Sequence, residues 1–153
     1  MINYWQTDIF KRERDANMTV FVCIDDRGGM MFNKRRQSRD SKVIEDVART
    51  VGDGMLYISD FSEILFTESD ASVICVPAPL DSASNDGFVF VENLHLGEYL
   101  NKIDRLIIYK WNRKYPYDFE LDIDPIKAGF KKKSKREFVG SSHDNITRED
   151  YVK

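Results

Sequence analysis

The stretch Thr19-Val20-Phe21-Val22-Cys23-Ile24-Asp25-Asp26-Arg27-Gly28-Gly29-Met30-Met31-Phe32-Asn33-Lys34-Arg35-Arg36-Gln37-Ser38-Arg39-Asp40 decides how the chain is read. Residues 19–24 are β-branched and apolar throughout, the composition of a central strand covered on both faces. Two carboxylates and a Gly-Gly pair follow, which permit a sharp turn or a close approach of backbone to a ligand. A dense cationic loop comes next. Asp40 can then cap a helix whose Val43, Ile44, Val47, Ala48 and Val51 form an i, i+3, i+4 stripe, and Gly52-Asp53-Gly54 ends it. A buried strand, a turn, a polar loop and a helix start make the layout in which open α/β sheets hold ligands, at the carboxyl ends of strands.

Working outward, residues 55–58 read as a second strand and 61–66 as a helix with Phe61, Ile64 and Leu65 inward. Residues 71–76 read as a third strand, stopped by Pro77 and Pro79. A polar loop over 81–87 leads to a strand at 88–91 and a short helix at 94–100 carrying Leu96, Tyr99 and Leu100. Residues 105–111 form a fifth strand, left by a loop at 112–116. The alternation of 119–123 predicts an edge strand with one wet face. Residues 130–139 read as a strand interrupted by the lysine run, and 146–152 as either a capped turn from Asn145 or a strand. Strands alternating with short helices predict an α/β fold with a mostly parallel sheet, and the strand-rich tail predicts antiparallel C-terminal additions.

The 153 residues, 42% hydrophobic and 32% charged, suit one globular domain over 18–153. Residues 1–17 are expected to be an N-terminal extension, with Ile2, Trp5, Ile9 and Phe10 on one helical face. The net charge of -3 gives no global pull toward nucleic acid or anionic membrane. Charge is uneven: residues 40–104 hold 13 acids and 3 bases, while 27–39 hold five bases and no acid, and 127–136 six bases and no acid. Cys23 and Cys75 each sit in an apolar run, so buried reduced thiols are expected. No run approaches the roughly 18 apolar residues of a membrane helix, and the N-terminus lacks a signal-peptide pattern. A cytoplasmic location is the default expectation.

The run Val20-Phe21-Val22-Cys23-Ile24-Asp25-Asp26-Arg27-Gly28-Gly29-Met30 resembles the opening of dihydrofolate reductases. So do 55–65, and Phe88-Val89-Phe90-Val91-Glu92-Asn93 with Tyr99-Leu100 and 104–109. The resemblance implies that family's fold, with Asp40 about where its pterin-holding carboxylate belongs. It also places a cofactor-binding turn after the strand at 88–91. The family's Gly-Gly at that turn is Glu92-Asn93 here. Two side chains, one anionic, are expected to stand where a dinucleotide pyrophosphate needs bare amides, so no cofactor is expected.

The chain also resembles a group of short bacterial proteins that share Phe32-Asn33-x-Arg35-Arg36-Gln37-Ser38-x-Asp40, Trp111-Asn112-Arg113-x-Tyr115-Pro116 and Gly140-Ser141-Ser142-His143. Many of these carry the label ribonuclease Z. That enzyme binds two zinc ions through a His-x-His-x-Asp-His cluster, whereas this chain has two histidines, His95 and His143, far apart. No metal ligand set is expected.

Each candidate has a structural and a functional reading. Asp25, Asp26 and Asp40 are an acid cluster for Mg²⁺ or proton transfer, or else Asp25 and Asp26 pair with Arg35, Arg36 or Arg39 while Asp40 caps a helix. The three arginines clamp phosphate or carboxylate, or form a surface cluster. Trp111-Asn112-Arg113 stacks a planar ring, or is a core Trp and a turn. Ser142-His143 is a nucleophile and base lacking an orienting group, or a turn. If a shared pocket exists, Asn33, Arg35, Arg36, Gln37, Asp40, Trp111, Asn112 and Arg113 are expected round it as ligand-binding residues, with Asp40 and His143 as the catalytic candidates. The function expected is a non-catalytic binding module on a decayed reductase-like scaffold, recognising an anionic or planar small ligand or a protein partner. The alternatives are a nucleotide- or pterin-handling enzyme and a ribonuclease. Nucleic acid stays open as a partner and no membrane is expected.

Overall fold

The computed structural model describes residues 18–153, so the extension expected at 1–17 lies outside the described residues. β1 (Met18–Ile24) is central, as its composition requires. Its even residues Val20, Val22 and Ile24 enter one hydrophobic cluster and Phe21 enters the other, on the opposite face of the sheet. Parallel partners flank it: β6 (Gly87–Phe90) on one side and β7 (Ile103–Lys110) on the other. Beyond β6 lie β4 (Met55–Ile58) and the edge strand β5 (Ser72–Cys75), both parallel. Beyond β7 lie β10 (Ile146–Val152) and β9 (Lys131–Phe138), antiparallel, which completes seven strands in the order β5-β4-β6-β1-β7-β10-β9. The parallel sheet and its antiparallel tail agree with the sequence expectation.

α1 (Ser41–Val51) covers the Phe21 face. It buries Val43, Val47 and Val51 and stops at Gly52, whose positive φ of 57° suits glycine. α2 (Pro79–Ser82) is a single turn that starts at Pro79, where the third strand was expected to stop, and runs into the stretch expected as loop.

Several expectations are corrected. The cationic loop is a small second sheet: β2 (Gly29–Phe32) pairs with β3 (Arg35–Arg36) and with β8 (Phe119–Glu120). Asn33 and Lys34, both at positive φ, make the tight hairpin turn. The stretch 119–123 therefore borders this small sheet, not the main one. Residues 60–66 form a 3₁₀ helix, whose tighter winding buries Ser62 and Phe66 and leaves Ile64 58% exposed. The helix at 94–100 shrinks to a 3₁₀ turn at Gly97–Tyr99. The interruption expected in β9 survives as a register break at Lys133 in its pairing with β10. β9 is nonetheless one strand through the lysines, because an edge strand can point them to solvent. The same holds for Cys75, which is exposed on the opposite edge. Among the described residues no helix is long and apolar enough to cross a membrane.

The ambiguous tail is a strand because it supplies a buried ionic network. Asp46 on α1 accepts from Tyr109 Oη (2.6 Å) and Arg148 Nη1 (2.6 Å) and pairs with Arg136. Arg148 Nε donates to Asp150, which also pairs with Arg105. On the other face Lys110 and Lys132 both pair with Glu149. Burial alone raises the pKa of these acids. The Tyr109, Arg136 and Arg148 hydrogen bonds outweigh it at Asp46, as do Arg148 and Arg105 at Asp150, while Lys110 and Lys132 bring Glu149 down to about 2.

Asp46→Ala removes one of the two carboxylates that Arg148, 9% exposed, meets, and leaves the buried Tyr109 Oη without its acceptor. Urea denaturation should register a loss of about 3–5 kcal/mol. Because the folded-state carboxyl pKa values lie below the unfolded ones, their stabilisation is complete above the unfolded carboxyl range and disappears as pH falls through the folded values. Thermal melts should therefore be flat above about pH 5 and decline steadily toward about pH 2; a melting temperature independent of pH there refutes the network's role.

Candidate functional site

Asp25 ends β1 and, 2% exposed, organises the turn after it. Its Oδ1 accepts the backbone N–H groups of Arg27 (2.9 Å) and Gly29 (2.7 Å), and its Oδ2 accepts those of Tyr115 and the Gln37 side chain. Gly28 takes φ +80°, and a Cβ on Gly29 would strike Tyr117 and Gln37. Asp25 thus joins the 25–29 turn to the 112–116 loop. It does not pair with Arg35, Arg36 or Arg39, because backbone amides and Gln37 already fill both its oxygens.

Asp40 caps α1 as expected, its Oδ1 accepting from Lys42 N–H at 2.9 Å. The same carboxylate takes the backbone N–H of Ser141 (2.8 Å) on Oδ1 and that of Ser142 (2.8 Å) on Oδ2. His143 Nδ1 lies 3.2 Å from Oδ2. Gly140 approaches so closely that a Cβ would collide with the carboxylate. Burial by itself raises the Asp40 pKa, but these donors hold it well below the usual carboxylate range. Asp40 therefore stays ionised, with both oxygens committed inside the protein.

His143 is 4% exposed. Its ring stacks on Trp111 (centroids 4.6 Å apart, 21° between planes), and its Nε2 faces Tyr115 Oη at 3.0 Å and Ser38 Oγ at 3.2 Å. Trp111 is a buried residue at the end of β7, and Asn112, at positive φ, donates to Asn145 O and Thr147 Oγ1. The Trp111-Asn112 segment therefore follows its structural reading.

Arg36 grips the Glu92 carboxylate with Nε (2.8 Å) and Nη2 (3.0 Å), while Ser62 Oγ donates to the same group at 2.7 Å. Glu92 is thus a neutralised, buried acid. The expected charge at the turn after β6 comes instead from Asp122, which accepts the backbone N–H groups of Leu96 (2.8 Å) and Gly97 (2.9 Å). An open cleft of about 470 Å³ beside it is lined by Asp81, Glu98, Asp122 and Tyr99. Sequence reading missed Asp122, which lies far along the chain from the amides it fills.

A chamber of about 20 Å³ lies between β1, β6 and α1, with space for about one water-sized group. Cys23, Gln37, Ser38, Asp40, Glu92 and Trp111 contribute to its wall. The Oε1 of Gln37, one of these wall residues, is buried with no hydrogen-bond partner among the described residues. An open groove of about 1220 Å³ adjoins the chamber and shares Arg39, Asp40, Ile44 and Leu65 with it. Of the expected pocket residues, Gln37, Asp40 and Trp111 meet here and Arg36 supports the wall through Glu92. Asn33, Arg35, Asn112 and Arg113 do not line the chamber. Asn33, Arg35 and Arg113 are exposed, as are Asp26 and His95. Among the described residues no three His, Cys, Asp or Glu side chains gather as metal ligands.

Arg36→Ala leaves Glu92 buried with Ser62 as its sole strong donor, so chemical denaturation should show a loss of about 3 kcal/mol. The exposed neighbour Arg35→Ala should stay within about 0.5 kcal/mol of the parent. Equal effects for the two variants contradict this assignment.

No family model and no curated protein matches the chain. Among solved structures, a dihydrofolate reductase from Enterococcus faecalis complexed with NADP(H) and RAB-propyl superposes with a TM-score of 0.61 at 11% identity, covering 90% of this chain and 96% of that one. The chain therefore has a dihydrofolate reductase-like fold.

Proposed function

We propose that the chain is a small-molecule-binding module on a dihydrofolate reductase-like scaffold and that it does not carry out hydride transfer. The commitment of both Asp40 oxygens to the 141–143 turn and Lys42 carries this reading. An acid that is to hold a pterin needs free lone pairs aimed at the ligand, and here every strong acceptor direction is taken. Two further features support it. The amides of Leu96 and Gly97 already hold a carboxylate, and the cleft beside them carries Asp81 and Glu98, which oppose a dinucleotide phosphate. The ligand would enter along the groove past Arg39 and present a hydrogen-bond donor to Gln37 Oε1, the orphaned acceptor of the chamber. A planar head with a ring N–H meets both requirements, provided that Leu65 and Ile44 part to admit it.

Titration calorimetry with NADPH, and an absorbance assay for its oxidation in the presence of dihydrofolate, should give no saturable binding and no turnover. Steady turnover overturns the reading. A thermal-shift screen of planar N–H heterocycles should find binders whose shift is lost in Gln37→Ala. Shifts that persist in that variant remove Gln37 as the recognition group.

A further inference from the structure

Asp40 is withheld from a ligand, and its Oδ2 lies against a histidine. Nδ1 of His143 sits 3.2 Å from that carboxylate oxygen, which can only accept, and 3.0 Å from Ser142 Oγ; the tautomer with its proton on Nδ1 satisfies the carboxylate and makes Nε2 an acceptor. Ser38 Oγ is 3.2 Å from Nε2, half-buried, and on the chamber wall. Trp111 stacked on the ring and Tyr115 at its edge keep the imidazole in this orientation. A hydroxyl facing an imidazole nitrogen, with the other nitrogen held by a buried carboxylate, is the arrangement that generates a nucleophilic oxygen.

We propose that Ser38, His143 and Asp40 form a nucleophile–base–orienter triad that accepts an acyl group from a small carboxylic ester. In this step Ser38 Oγ bonds to the ester carbonyl carbon as its proton passes to His143 Nε2. The C–O bond to the leaving alcohol then breaks, and the alcohol takes that proton. Water, activated by the same nitrogen, releases the acid and regenerates Ser38. Asp40 stays ionised throughout and balances the transient imidazolium. Arg39, exposed and lining both groove and chamber, is the cation nearest in sequence to Ser38 that could meet the developing oxyanion. The chamber has room for about one water-sized group, so the acyl chain lies in the adjoining groove. Cys23 on the same wall is not the nucleophile, because burial and then the charges of Glu92 and Asp40 raise its thiol pKa well above the usual value. The proposal goes beyond the binding reading, since it needs neither Gln37 nor a heterocycle.

The test is covalent labelling of the folded chain with a small alkyl fluorophosphonate, read by intact mass and peptide mapping. The probe forms an Oγ–P bond, loses fluoride with the P–F electron pair, and leaves the Oγ proton on His143. One adduct at Ser38 is expected. It should be absent in Ser38→Ala and slowed about a hundredfold or more in His143→Gln, the low end of what a positioned general base contributes. Ser72→Ala, on the exposed edge strand β5, should label like the parent. Tyr115→Phe should label at least as fast, because it removes the competing donor to Nε2. Where His143→Gln does not fold, the parent adduct map and Ser38→Ala decide. No adduct under conditions that fully label a serine hydrolase control, an adduct at another residue, or slower labelling of Tyr115→Phe overturns the proposal. Heterocycle binding dependent on Gln37 is scored separately, so either reading can fail alone.

Discussion

The Asp40 carboxylate ties the first turn of α1 to the turn at 140–143, and the geometry of the candidate site depends on that tie. Taking a carboxylate out of water is costly unless donors replace the lost hydration. Here Lys42, Ser141 and Ser142 supply backbone N–H groups, and His143 approaches through Nδ1. Gly140 is required because the chain passes so close that a side chain would occupy the carboxylate's place. The helix start, the C-terminal turn and the histidine ring are thereby positioned by one charge.

Asp25 plays a matching part on the other side of the site. It gathers the amides of Arg27, Gly29 and Tyr115 and so locks the first loop to the one leaving β7. Between the two acids stand Trp111 and His143, stacked, with Tyr115 and Ser38 sharing one ring nitrogen. The result is a small, tightly hydrogen-bonded chamber. In the cleft lined by Asp81 and Glu98, Asp122 accepts the backbone N–H groups of Leu96 and Gly97.

The polar residues buried away from this site have a separate logic. Asp46, Arg148, Asp150 and Arg105 join α1 to β10 and β7 through a network in which each charge has an opposite neighbour. The network lets a strand reading Thr-Arg-Glu-Asp lie one place in from the sheet edge. It also fixes how α1 lies across the sheet, because a shifted helix would take Asp46 away from the buried Arg148 and Tyr109.

The sequence by itself determined the elements whose signal is local. The apolar β-branched run of β1, the stripe of α1, its Asp40 cap and its Gly52 stop all follow from spacing and backbone preference within a dozen residues. A mostly parallel sheet with an antiparallel tail was legible from the order of those signals, whereas the strand order and the separate small sheet holding Phe119–Glu120 were not. Tertiary structure alone decided the partners of charged side chains, because an acid reads the same in sequence whether it meets an arginine, an amide or water. Arg36 could have taken Asp25 and took Glu92; Asp122 found amides some twenty-five residues earlier in the chain. Ser142-His143 showed no orienting group in sequence, since Asp40 reaches that histidine through space and the hydroxyl at Nε2 belongs to Ser38. Pairings of this kind are set by packing of distant segments, and no periodicity in the chain records them.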